Sequence, residues 1–157
     1  MISFNKTTTI RNRVVAECVL GTDVTQRAQC ISQFVLLARL CLDMGNFEAG
    51  VAIVTGLKYN QPTDLNPTHH FRFRAPAIIR LQKTWSAVPR KLQQTLEQMV
   101  QLTSVAGRYD MLRKAMAHGM NASSAVQPYA GLLVDDVMFA KANYDMGTGT
   151  LSEPGLR

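Results

Sequence analysis

The residues able to do chemistry are few, and their spacing assembles no reaction centre. His69 and His70 are adjacent in a proline-rich stretch without a nearby cysteine or carboxylate pair, so they do not offer the ligand set a transition metal requires. Asp135 and Asp136 are consecutive, and consecutive side chains on a helix point in different directions. They read as a solvated face or a cap, not as a paired acid and base. His118 stands at the end of a helical pattern, where an imidazolium complements the negative end of the helix dipole. Cys18, Cys30 and Cys41 are odd in number, lie inside apolar helical patterns and show no C-x-x-C spacing. They read as buried, reduced thiols of a cytosolic protein. The phosphate-binding GxxxxGK[ST] loop, a strand followed by GxGxxG, and HExxH are all absent, which removes support for nucleotide hydrolysis, dinucleotide binding and zincin chemistry. No metal, no cofactor and no covalent chemistry are expected. One short stretch stands out: "IIRLQKTW" sets Arg80, Thr84 and the sole tryptophan, Trp85, directly after a loop rich in proline and histidine. Trp85 is a large amphipathic anchor and Arg80 a cation in need of a partner, so together they should pin the loop end to the helices as scaffold.

The elements that must position these residues follow from apolar periodicity. With 157 residues, 46% hydrophobic and 18% charged, the chain can bury one sizeable core. Ile10, Val14 and Cys18 recur every four residues over positions 3–20, with Gly21 as a stop. Asp23 and Gln26 resemble a capping pair for a second helix, in which Val24, Ala28, Ile31, Val35, Ala38 and Leu42 form the stripe and Phe34, Leu37 and Cys41 widen it. Gly45 ends that helix. Asn46 can cap "FEAGVAIVTGL", a helix with hardly any polar face and therefore interior. Residues 58–77 contain Pro62, Pro67 and Pro76 and no helical period, which reads as a long surface loop; within it "FRFR" alternates like a short edge strand. A helix from Pro89 to Thr103 places Val88, Leu92, Leu96 and Met99 on one side. Gly107 breaks the run, "RYDMLRKAMAHG" gives a further helix closed by Gly119, and "YAGLLVDDVMFA" after Pro128 is open between helix and strand. The organisation read from this is one all-α domain, an irregular bundle over 1–142, with a flexible tail at 143–157.

The net charge of +6 favours attraction to an acidic partner without choosing among nucleic acid, anionic lipid and protein. The basic residues are scattered and not interleaved with aromatics, so nucleic-acid binding is not expected. No run of 18 apolar residues and no secretory h-region occur in the sequence, and a cytoplasmic protein is expected.

The order of "FN", "QRAQCISQFVLLARLCLDMGNFEAGVAIVTGL", "IIRLQKTW", "RYDMLR" and "PYAGLLVDDVMF" resembles the catalytic domain of Ras-family guanine nucleotide exchange factors, the Cdc25-homology type. The likeness covers most of residues 3–140. Arg27, Asn46, Phe47, Arg80, Leu81, Lys83, Thr84, Trp85, Pro128, Tyr129, Gly131 and Asp136 fall on the family's motif positions in the same order. The resemblance implies a multi-helix exchange domain that docks switch 2 of a Ras-like small GTPase of the Ras, Rap or Ral class and holds its nucleotide-free state. The family's contact positions carry over onto Phe4, Asn5, Thr8, Val51, Arg108, Tyr109 and Tyr129. Lys58 stands where relatives carry a polar asparagine that touches the GTPase, and Ala130 replaces a leucine. The 58–77 loop is an insertion beside the docking surface, a position from which "FRFR" could meet the partner or an anionic membrane. The family's helical hairpin, which pries switch 1 from the nucleotide, and its opening helices have no counterpart here. The expectation is therefore a regulatory protein resembling a domain truncated at both ends, with doubtful exchange competence. The alternative is a non-catalytic helical interaction module, membrane- or RNA-associated.

Overall fold

The most apolar helical segment of the chain becomes the centre of the bundle. The computed structural model describes residues 2–58, 83–121 and 125–146. They form six α-helices: α1 (Ile2–Leu20), α2 (Val24–Asp43), α3 (Phe47–Lys58), α4 (Arg90–Leu102), α5 (Asp110–Asn121) and α6 (Gly131–Met146). Short turns at Trp85–Ala87 and Ala106–Arg108 complete the description, and no strand occurs among the described residues. In α3 nine of twelve residues are buried, from Phe47 to Leu57, because α1, α2 and α4 all pack against it. Gly56 sets how close α1 can come: a Cβ there would lie 2.9 Å from the Arg11 carbonyl oxygen and 3.0 Å from the Val14 side chain. Ile31, Leu57, Leu96 and Leu112 are fully buried, and each such side chain contributes about 1.5–3 kcal/mol relative to exposure.

The start of α2 follows the expected capping chemistry with one shift. Asp23 accepts from the Gln26 amide at 2.8 Å, while the Gln26 side chain reaches back to Thr22, whose amide and hydroxyl donate at 3.2 and 3.0 Å. The reciprocal bond thus falls one residue before the cap. Ala28, Ile31, Val35, Ala38 and Leu42 are buried as their spacing requires, together with Arg27. Val24 and Leu37, expected on the same face, are 43% and 44% exposed, because the neighbouring helices cover only one side of α2 and these two positions fall at its margins.

Arg27 and Thr84 join two distant motifs. The Arg27 guanidinium, 5% exposed, donates through Nε to Thr84 Oγ1 at 3.0 Å and through Nη1 to the carbonyls of Gly21 and Thr22 at 3.1 and 3.4 Å. Trp85 follows directly and is buried. Gln93 of α4 donates to the Trp85 and Val88 carbonyls at 3.0 and 2.8 Å, which ties the Trp85 turn to the start of α4. Arg80, Leu81, His69, His70 and the "FRFR" segment lie outside the described residues.

Two boundaries differ from the sequence expectation. Helix α5 runs past Gly119 to Asn121. Glycine there serves close packing instead of termination, since a Cβ would come within 3.1 Å of the Val126 side chain. The segment open between helix and strand is helical, and α6 continues to Met146, beyond the expected start of the tail at Asn143.

Candidate functional site

The site is built where the segment before α6 is laid against the turn between α2 and α3. Gly45, at φ +75°, opens that turn in the left-handed region that glycine adopts without strain. Asn46 caps α3 by accepting from the Ala49 amide at 3.1 Å. Gln127 donates its amide to the Gly45 carbonyl at 2.9 Å and accepts from the Phe47 amide at 3.0 Å, closing a parallel bridge beside Asn46. This register delivers Ala130 to Glu48, in the first turn of α3. Glu48 Oε2 accepts from the Ala130 amide at 2.7 Å, and Oε1 accepts from the Thr7 hydroxyl of α1. One buried carboxylate, 8% exposed, thereby ties together α1, α3 and the Pro128 segment.

Tyr129 sits beside this tie. Its ring meets that of Tyr109 edge to face, with centroids 6.1 Å apart at 63°, the arrangement the ring quadrupoles favour. Gly131 leaves the space that ring occupies, since a Cβ there would collide with the phenol end of Tyr129. Burial first, then Tyr109 and Glu48, push the Tyr129 hydroxyl up to about 12. Burial and the Asp135 carboxylate raise Tyr109 as well. Both phenols are therefore neutral hydrogen-bonding groups near pH 7.

Tyr109 is held in place by an unusual backbone. Gly107, Arg108 and Tyr109 have φ of +59°, +57° and +63° in succession, and left-handed backbone costs a non-glycine residue roughly 1–2 kcal/mol. An ion cluster opposes that cost. Arg108 Nη2 donates to Asp136 Oδ1 at 2.7 Å and Nε lies 3.4 Å from Asp135 Oδ2, while its guanidinium stacks 3.8 Å over the Phe139 ring. Arg113 donates to both Asp136 oxygens at 3.0 and 2.8 Å and, through Nε, to the Arg108 carbonyl at 2.8 Å. Asp135 and Asp136 keep part of the solvent contact expected of them, with side chains 36% and 47% exposed, and gain arginine partners that the sequence did not indicate. The turn brings Arg108, and α5 brings Arg113, onto neighbouring positions of α6, which spacing along one helix cannot reveal.

This clasp should respond to acid. Arg113, then Arg108, hold the Asp136 carboxyl below its ordinary value. A depressed carboxylate contributes stability that is present above the unfolded value and is lost as pH falls through the folded one. Beyond the clasp, Leu132 is the one buried apolar anchor of α6 among the described residues. Amide protection in residues 132–144 should therefore drop below the usual carboxylate range, and also in 1 M salt at neutral pH, before α3 is affected. Hydrogen exchange corrected for intrinsic rates measures this; equal loss in α3 and α6 would deny the clasp a separate role.

The sequence-derived positions divide accordingly. Arg108, Tyr109 and Tyr129 come together, and Thr8, half-buried, is next to the Thr7 that binds Glu48. Val51 is 3% exposed and belongs to the core beneath. Lys58 is half-buried at the far end of α3, about 15 Å along the helix from Glu48. Phe4 and Asn5 belong to the first turns of α1, their side chains lying outside the described set. Arg27, Phe47, Thr84 and Trp85 are buried scaffold, and Asn46 is an exposed cap. Glu48 is the site residue that motif reading missed. Its signal was available, because a lone carboxylate in a helix otherwise nearly free of polar groups requires buried partners.

These features define a helical scaffold that presents paired tyrosines and a braced arginine. Among the described residues no group of histidines, cysteines and carboxylates could hold a metal ion, and no helix is long and apolar enough to cross a membrane. The chain belongs to the RasGEF domain family, whose model matches residues 1–153. It is 26% identical over 147 residues to Ras-specific guanine nucleotide-releasing factor 1 of Mus musculus, covering 94% of this chain and 10% of that protein. It is also 26% identical over 145 residues to Ras-specific guanine nucleotide-releasing factor 2 of Danio rerio, covering 92% and 10%. Ras-GEF domain-containing family member 1C of Macaca fascicularis is 29% identical over 131 residues, covering 80% and 25%. The chain spans a tenth to a quarter of the length of these relatives.

Proposed function

We propose that this domain binds a Ras-like small GTPase of the Ras, Rap or Ral class at switch 2, holds it nucleotide-free and so promotes GDP release. The observation that carries the reading is the convergence, within a chain matched to the RasGEF family over 1–153, of Arg108, Tyr109 and Tyr129 on one surface braced by Glu48 and the Asp135–Asp136 clasp. Coupling between the two ligands of the GTPase is reciprocal: whatever factor favours the empty form over the loaded one lowers nucleotide affinity by the same factor while the pair is joined. A 10⁴-fold shift needs about 5.5 kcal/mol of differential binding, within reach of a few aromatic anchors in a desolvated contact. The domain makes no covalent bond in this scheme; its work is differential binding. The protein acts in the cytoplasm and reaches the membrane through the GTPase, with its +6 charge adding peripheral attraction to anionic lipid.

Release of a fluorescent GDP analogue from Ras, Rap and Ral GTPases tests the proposal. Acceleration for any member supports it. Binding to the nucleotide-free form without acceleration would leave a docking module that does not catalyse exchange, and absence of binding to every empty GTPase would overturn the reading. Tyr129→Ala should reduce binding by about 30-fold or more, the scale of a hot-spot aromatic, while far-ultraviolet circular dichroism stays unchanged. Loss of the helical signal would instead assign Tyr129 to the core.

A further inference from the structure

Two of the three thiols meet across the interface of α1 and α2. Cys18 on α1 and Cys30 on α2 have their sulfurs 3.9 Å apart, and both are free. Cys18 is fully buried while Cys30 is half-buried and so within reach of a small solute. A disulfide needs the sulfurs at about 2.05 Å, so a side-chain adjustment of roughly 2 Å joins them. Cys41, also half-buried, lies three turns along α2 from Cys30, about 16 Å away, and is not part of the pair.

We propose that Cys18 and Cys30 form an oxidant-responsive thiol pair that closes to a disulfide with hydrogen peroxide or a small alkyl hydroperoxide and staples α1 to α2. Cys30 supplies the attacking sulfur, being the more accessible of the two. Its thiolate attacks one peroxide oxygen and the O–O bond breaks. The other oxygen leaves as hydroxide, takes a proton and becomes water, leaving Cys30 as a sulfenic acid. Cys18 then attacks the Cys30 sulfur, the S–O bond breaks, and its oxygen departs as a second water carrying the Cys18 proton. Two thiols and one hydrogen peroxide become one disulfide and two waters; the sulfurs lose two electrons and the peroxide gains them. Burial raises both thiols above their ordinary value, so closure is slow, a response to sustained oxidant and not a turnover step. The staple would fix the helix whose Thr7 braces Glu48, yet the inference stands on the thiol geometry alone and does not depend on the proposed GTPase partner.

The folded 157-residue protein is treated with hydrogen peroxide, remaining thiols are alkylated, and tryptic peptides are mapped without reduction. Cleavage after Arg13, Arg27 and Arg39 puts the two cysteines on separate peptides, 14–27 and 28–39, and leaves Cys41 on a third. The expected result is a cross-linked 14–27/28–39 pair with Cys41 alkylated, reversal by dithiothreitol, and a Tm higher by roughly 6–12 °C in the oxidised form. Cys41→Ser should retain the cross-link and Cys30→Ser should lose it. Sulfinic acid on Cys30 with Cys18 still alkylatable, a link through Cys41, an intermolecular dimer, or three unreacted thiols would each overturn the proposal. Because mapping of the unmodified chain already decides among these, the outcome does not hinge on whether a variant folds.

Discussion

Glu48→Ala is expected to lower stability by about 2 kcal/mol and to reduce binding of an empty Ras-like GTPase by about 30-fold or more. The carboxylate accepts from the Ala130 amide and from the Thr7 hydroxyl, and it is buried. Without it the Ala130 amide loses a charge-assisted acceptor at the residue between Tyr129 and Gly131, so the ring that packs on Tyr109 loses its backbone support. The effect on binding should therefore exceed what the stability loss alone produces at a temperature where the variant is folded. Glu48→Gln separates the contributions. A glutamine keeps the shape; its oxygen can accept from the Ala130 amide while its NH2 donates to the Thr7 hydroxyl, so both contacts survive without the charge and both effects should fall to about half or less. Urea titration with tryptophan fluorescence gives the stability and titration against nucleotide-free GTPase gives the binding. A Glu48→Ala protein that binds normally would show that the Tyr109–Tyr129 pair holds itself, or that the surface is elsewhere.

Trp85→Ala should cost about 3–5 kcal/mol, enough to depress Tm by roughly 10 °C or more in a domain of this size. The side chain is 9% exposed, next to the fully buried Thr84, at the point where Arg27 and Gln93 converge on this turn. Truncation leaves a cavity that the flanking helices cannot close without breaking those bonds. Far from the tyrosine surface, the same change should leave binding nearly unaltered at a temperature where the variant is folded. Differential scanning fluorimetry with an extrinsic dye, paired with a low-temperature binding titration, reads both. Lost binding by a folded variant would move Trp85 from scaffold to contact.

Helix existence was written locally. The four-and-three spacing of α2, the apolar run of α3 and the stops at Gly21 and Gly45 all reappear in the structure, because amphipathic period and capping are properties of a few successive residues. Boundaries were less legible. Gly119 looks like a stop in isolation, yet the helix passes through it because Val126 packs against the missing side chain. The apolar stretch after Pro128 carried no period able to choose helix over strand, and α6 indeed shows little segregation of its apolar residues: Leu133, Val137 and Met138 are all more than half exposed.

The ordered motifs were enough to place the chain among RasGEF-type domains, since residues of fixed type at fixed intervals are preserved in the sequence itself. They also marked Tyr109 and Tyr129, each separately, as expected contact positions; that the two rings meet is a finding of the structure. What they could not express is who neutralises whom. Glu48 with Ala130, Arg108 and Arg113 with Asp135 and Asp136, Arg27 with Thr84, and Cys18 beside Cys30 are separated by 12 to 82 residues. A buried charge or thiol states in the sequence that it needs a neighbour, but the neighbour is chosen only when packing brings remote segments into hydrogen-bonding range, a choice fixed by the shape of the whole core and by no local rule.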